Sequence, residues 1–284
     1  ENIKSLFSVV RIMIKLISIL NNIMFELLIL LFLLKSEESY FPLRLDTVIQ
    51  KKHMVPEATE LWNPVPSIVD PGNNFSDAPS DAIILFDGNN LNSWVHKDGG
   101  EPKWTVNDGY FTVKPGTGSI ISKQYFGSCQ LHIEFMTPSE IISEGQGRGN
   151  SGVYFMEDPN QPGDSGYEIQ VLDSYNNRTY SNGQAGSVYK QHIPLVNASK
   201  EPGDWQSYDI IFKAPVFNSN GSLESPAYVT VFHNGVLIQN NVQIQGYVKF
   251  IGYPEYKAHP KKLPMKLQDH GNLVSFRNIW IREL

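Results

Sequence analysis

The sequence predicts an all-β domain of antiparallel strands, arranged as a sandwich or a barrel. Three observations carry that expectation. From residue 81 onward, short runs rich in β-branched and aromatic residues recur. Turn residues separate them. No stretch of helix length in this region repeats apolar residues at helical spacing.

In chain order, IILFDG (83–88) opens the series, and KWTVNDGYFTVKPG (103–116) folds back on itself at Asn107-Asp108-Gly109, residues suited to the positive φ of a tight hairpin. SIISKQYF (119–126), CQLHIEFMTP (129–138), SGVYFME (151–157) and YEIQVLD (167–173) follow as single strands. WQSYDIIFKA (205–214) precedes a second hairpin, AYVTVFHNGVLIQNNV (227–242), which turns at His233-Asn234-Gly235. LPMKLQDHG (263–271) and VSFRNIWIREL (274–284) complete the series. Trp94, Trp104, Trp205 and Trp280 lie in or beside apolar strands and are expected to pack in the core rather than to stack on a ligand.

Two segments precede the expected β domain of 81–284. Residues 37–80 are polar, and Pro56, Pro64, Pro66, Pro71 and Pro79 forbid a long helix or a central strand, which leaves an extended lead-in. Residues 1–36 are strongly apolar, and LLILLFLL (27–34) has the length of a signal-peptide core. Asn21, Asn22 and Glu26 interrupt the run, so it falls short of the about 20 clean apolar residues of a spanning helix. The expectation is export through a signal or a membrane-facing anchor; the alternative is that translation starts at Met13 or Met24.

Composition narrows the function. Of 284 residues, 41% are hydrophobic and 12% aromatic, enough for one sizeable core. Lys plus Arg number 23 against 29 Asp plus Glu, and no basic run tracks a phosphate backbone, so nucleic acid is not an expected partner. A lone Cys129 excludes an internal disulfide and a cysteine-rich zinc site.

One strand carries an unusual pattern. In YEIQVLDSY (167–175), Tyr167, Ile169 and Val171 share one face, Glu168 and Gln170 share the other, and Asp173 lies just beyond.

Taken in order, ILFDGNNLNSW, GRGNSGVYF, YEIQVLDSY, PLVNAS, PGDWQSYDIIFKAP, VTVFHNGVLIQN and LQDHGNLVSFRNIWIREL resemble the bacterial 3-keto-disaccharide hydrolase domain family, over roughly residues 54–284. The resemblance implies a concanavalin-A-like lectin/glucanase sandwich and cleavage of glycosides whose glucose ring is oxidised at C3; with the apolar segment 1–36, the expected location is the periplasm or cell envelope of a bacterium. A non-catalytic sugar-binding module on the same sandwich is the alternative, since fold does not dictate function.

The resemblance also assigns roles. Glu168 and Gln170 would line the sugar groove. Ordinary retaining glucanases set two carboxylates about 5–5.5 Å apart, but the second position on this strand face is Gln170. A ketone at C3 acidifies the C2 proton, so one base, an electrophile and a proton donor suffice. Glu168 and His270 are the expected base and leaving-group acid, in either assignment. Asn150, Gln170, Asp173 and Gln268 are expected to bind substrate, and Arg277, Lys123 or a divalent cation to hold the enolate; the alternatives are that Asp173 caps a loop and that Arg277 forms a salt bridge at a sheet edge. Such a cation would take oxygen ligands from Glu168, Asp173 and Asp269.

Overall fold

The computed structural model describes residues 55–161, 163 and 165–284. The apolar segment 1–36, with its expected export signal or membrane contact, lies outside the described residues. Among the described residues, no helix is long and apolar enough to cross a membrane.

The chain divides into two compact units, Glu1–Ser67 and Ile68–Leu284. The described part of the first holds one turn of 3-10 helix at Pro56–Thr59 and is otherwise irregular. The second unit begins at Ile68 and so includes the end of the lead-in. Asn278 Nδ2 and Trp280 Nε1 both donate to the Ser76 carbonyl, at 2.9 and 3.0 Å, and so bond the end of the lead-in to the sandwich.

Fifteen strands are described: β1 (Ile83–Phe86), β2 (Trp94–His96), β3 (Thr105–Asn107), β4 (Tyr110–Thr112), β5 (Ile120–Phe126), β6 (Cys129–Met136), β7 (Ser151–Phe155), β8 (Tyr167–Val171), β9 (Gln206–Lys213), β10 (Val216–Phe217), β11 (Leu223–Ser225), β12 (Tyr228–His233), β13 (Val236–Gln243), β14 (Leu263–Leu267) and β15 (Ser275–Glu283). Every run expected from the sequence contains a strand. The unexpected ones are β2 and the β10–β11 ribbon, too short to leave a periodic signal. Gly109 in one hairpin and Asn234 and Gly235 in the other take the expected positive φ, at 81°, 52° and 78°.

The strands form an antiparallel sandwich. The larger sheet runs β13-β12-β9-β6-β15-β4-β3, with β1 also paired to β15; the smaller runs β2-β5-β14-β7-β8. Inward side chains of the two sheets meet directly: Phe155 of β7 stacks on Phe212 of β9 at 4.5 Å, and Trp94 of β2 packs on Phe111 of β4 at 6.5 Å. Each fully buried side chain of this size contributes about 1.5–3 kcal/mol. Cys129 is buried here, and burial pushes its thiol up to about 12, so it stays protonated and inert at neutral pH.

Three features of the smaller sheet place the site. First, β14 slots between β5 and β7, with Lys266 opposite Tyr154. Second, β7 pairs with β8, with Tyr154 opposite Glu168. Third, the segment Gly186–Tyr189 covers the open edge of β8: Gly186 N donates to Gln170 O, Gln170 N to Ser187 O and Tyr189 N to Glu168 O. This satisfies an edge that would otherwise pair with other chains.

Candidate active site

Residues directly opposite each other in an antiparallel pair share a face, with Cβ atoms about 4.5–5.5 Å apart. Glu168, Tyr154 and Lys266 therefore form a row across β8, β7 and β14 on the sheet face turned away from the core. Tyr167, Ile169 and Val171 point the other way and are fully buried, as the alternation in YEIQV requires. Gly152, opposite Gln170, leaves the space between them: a Cβ there would lie 2.6 Å from Tyr154 Cε2 and 2.7 Å from Glu168 Oε1.

This face forms the floor of a pocket of about 280 Å³ lined by Asn150, Tyr154, Glu168, Gln170, Tyr189, Val248, Phe250, Gln268 and His270. Glu168 and Gln170 are only 3% and 1% exposed, yet both line this polar space rather than the apolar interior. Glu168 is the one carboxylate among the lining residues. Asn150 donates through Nδ2 to Gln146 O at 2.7 Å and accepts from Gln170 Nε2 at 2.9 Å. Gln170 Nε2 also faces Ser151 O and Val171 O, so its amide nitrogen is committed and its Oε1 remains the acceptor for a ligand. Gln268 Nε2 donates to the Tyr154 hydroxyl at 2.9 Å. His270 sits exposed at the rim, with its carbonyl held by Asn272 Nδ2 at 3.2 Å.

A buried ion network supports the floor. Lys266 Nζ lies 3.7 Å from the centre of the Tyr154 ring and 2.9 Å from Glu157 Oε2, with both ionic side chains fully buried. Lys97 Nζ adds a second cation 2.5 Å from Glu157 Oε1. Elsewhere in the lining, burial, then the hydrogen bond and charge of Tyr180, then the Glu168 charge raise the Tyr189 phenol above its ordinary value, so it remains an O–H donor at neutral pH.

The structure thus brings together Glu168, His270, Asn150, Gln170 and Gln268, and separates the other three expected site residues from them. Asp173 is not a pocket residue. Its carboxylate accepts from Arg148 Nε at 2.5 Å and from Tyr175 N at 3.1 Å, and caps the loop after β8. Lys123 is exposed on β5 and borders a separate depression with Asn92 and Glu101. Arg277 belongs to the other sheet, where it pairs with Glu134 Oε2 at 2.6 Å and lies over the half-buried Trp205 ring at 4.1 Å. Parity along a strand says which face a side chain takes, but not which sheet the strand joins. The expected cation ligands do not converge either: Asp269 accepts from the backbone of Gly118 and Gly271, and no described group of three His, Cys, Asp or Glu could hold a metal ion.

The Arg277 cluster has its own consequence, for stability. His132 Nδ1 lies 2.7 Å from Asp209 Oδ1, and its Nε2 lies 3.6 Å from Glu134 Oε1. Burial alone would lower its pKa, but the hydrogen bonds and charges of Asp209 and Glu134 outweigh it and raise the pKa from 6.5 to about 9. A raised folded pKa means that the stabilisation is fully present below 6.5 and is lost as pH rises through about 9. The melting temperature is therefore expected to fall between pH 6.5 and 9, and His132→Gln to flatten that slope; a variant with the wild-type slope would dismiss the pair as its source.

Tyr154, Tyr189, Val248, Phe250 and Lys266 were not expected at the site. A lysine inside the otherwise apolar LPMKL was a usable signal, because a buried charge demands a partner. Tyr189, Val248 and Phe250 arrive on loops and leave no local pattern.

Comparison with known proteins agrees with the fold. The family model of the 3-keto-alpha-glucoside-1,2-lyase-like domain matches residues 81–282. A curated 3-keto-disaccharide hydrolase of Bacteroides thetaiotaomicron is 26% identical over 235 residues, covering 71% of this chain and 78% of that protein. The crystal structure of a candidate glycosyl hydrolase from Parabacteroides distasonis superposes with a TM-score of 0.75 at 48% identity, covering 81% of this chain and 97% of that one. A second candidate glycosyl hydrolase from the same organism, at 21% identity and a TM-score of 0.54, shares the fold.

Proposed function

The chain belongs to the 3-keto-alpha-glucoside-1,2-lyase-like domain family, and from that membership we propose that it is a carbohydrate-active enzyme that cleaves 3-keto-glycosides by elimination and rehydration. The observation that carries this reading is a polar pocket in which a single carboxylate, Glu168, faces carboxamides, phenols and His270. A two-carboxylate glycosidase has no second acid here, whereas removal of an acidified C–H proton needs one base.

In the proposed sequence Glu168 takes the proton from C2, and the electron pair moves onto the C3 oxygen as an enolate. The Tyr154 hydroxyl, backed by the buried Lys266 charge, takes the electrophilic role first expected of Arg277 or Lys123. Collapse of the enolate restores the C3 ketone, forms a C1=C2 double bond and breaks the bond from C1 to the leaving oxygen, which His270 protonates. Water then adds its hydroxyl to C1 and a proton to C2, giving the free 3-keto-sugar. Gln170, anchored through its Nε2 to Asn150 Oδ1, accepts at Oε1 from a sugar hydroxyl, and the Phe250 and Tyr189 rings cover the apolar face of the ring.

The test is to incubate the protein with a 3-keto-glucoside and with its unoxidised parent. Release from the keto form alone is the expected result. Binding of the sugar with turnover of neither would favour a carbohydrate-binding module and overturn the enzymatic reading.

A further inference from the structure

We infer that the apolar pocket on the far side of His270 is the subsite for the group that leaves from C1, that this group is an apolar or phenolic aglycone, and that Ile142 and Leu273 set its selection. This rests on the reading of the Glu168 pocket as the keto-sugar site.

The second pocket also has a volume of about 280 Å³, and its walls include Pro115, Pro138, Ile142, Leu273 and Arg148, together with the solvent-exposed Glu140. The two pockets are neighbours along two loops at once. Gly149 of the second precedes Asn150 of the first, and Gly271 of the second follows His270 of the first; consecutive Cα atoms are only about 3.8 Å apart. Gly149 N donates to Asn272 Oδ1 at 2.8 Å, which ties the loops into a thin partition. Gly149 has no room for a side chain, since a Cβ would lie 2.9 Å from Thr137 Cβ and 3.0 Å from Asp173 Cβ.

Size and chemistry choose the occupant. The keto-sugar pocket lies just below the range of about 300–1,000 Å³ of drug-sized ligand sites, so it suits one ring, and the remainder of a glycoside must extend outside it. His270, which protonates the leaving oxygen, stands at the partition, so the departing group lies beyond it. No aromatic ring is among the residues lining the second pocket, so it lacks the platform on which a second pyranose would stack. Its prolines and aliphatic side chains suit an apolar group instead. Arg148 brings no free charge, because Asp173 Oδ2 and Tyr175 O hold its guanidinium at 2.5 and 3.0 Å. Asp173, removed from the sugar site, thereby becomes a positioning residue for this wall.

Ile142 and Leu273 are 83% and 56% exposed, so changing them spares the fold. The experiment compares kcat/KM for phenyl 3-keto-glucoside and methyl 3-keto-glucoside in wild type, Ile142→Ser/Leu273→Ser and Phe250→Ser. The double variant is expected to lose about 10-fold or more on the phenyl substrate and less than about twofold on the methyl one, the size of effect typical of lost apolar contacts. Equal changes on both substrates, or a selective phenyl loss in Phe250→Ser instead, would overturn the subsite while leaving the keto-sugar reading intact. A selective loss on a 3-keto-disaccharide in the double variant would overturn the apolar occupant. Turnover of neither keto substrate by wild type would bring down the keto-sugar reading and this subsite with it.

Discussion

Glu168→Gln is expected to lower kcat on a 3-keto-glucoside by about 10²–10⁴-fold, the usual contribution of a positioned general base. The substitution keeps the shape of the side chain and removes only the ability to accept a proton, so the space kept open by Gly152 stays filled in the same way. Circular dichroism and melting should therefore report a folded protein alongside the lost activity. Turnover in D₂O adds an independent signature: elimination and rehydration place deuterium on C2 of the released 3-keto-sugar, faster than the same sugar exchanges alone. A Glu168→Gln variant with wild-type kcat, or product without C2 deuterium, would remove Glu168 from the base role.

Lys266→Met is expected to cost about 3–5 kcal/mol of stability, the penalty for breaking a buried ion pair from one side. The mechanism is local: Glu157 has no exposure, and after the change it would keep only the Ser165 N–H and one cation, Lys97, whose side chain is 23% exposed. For a unit of this size, about 2–4 °C of melting temperature accompanies each kcal/mol, so a drop of at least about 6 °C should be seen. Lys266→Met/Glu157→Gln should recover most of that loss, because the stranded charge is removed. Activity should not return with stability in the double variant, since the cation beneath Tyr154 is still missing. Full recovery of kcat would show that Lys266 holds the floor together without assisting the chemistry.

Much was legible in the sequence because its cause is local. Alternation in YEIQV turns Glu168 and Gln170 to one face and Tyr167, Ile169 and Val171 to the other whatever the neighbouring strands are. Asn234-Gly235 turns its hairpin by its own backbone preference. The prolines of the lead-in likewise exclude a long helix or a central strand without reference to anything distant. Arg277 and Lys123 were misplaced because a cation on a strand face can serve any site on either sheet, and nothing within a few residues of either says which.

What the chain by itself determined is thus an antiparallel β fold, the side of each strand that meets the core, and the acid-amide pair at the heart of the pocket. Only the tertiary structure decided that β14 inserts beside β7, that Lys266 rather than Arg277 lies beneath the pocket, and that Tyr189 and Phe250 line it. The physical reason is range. Side-chain alternation follows from backbone geometry over two residues, whereas strand order and loop return are set by burial of apolar surface between segments far apart in the chain.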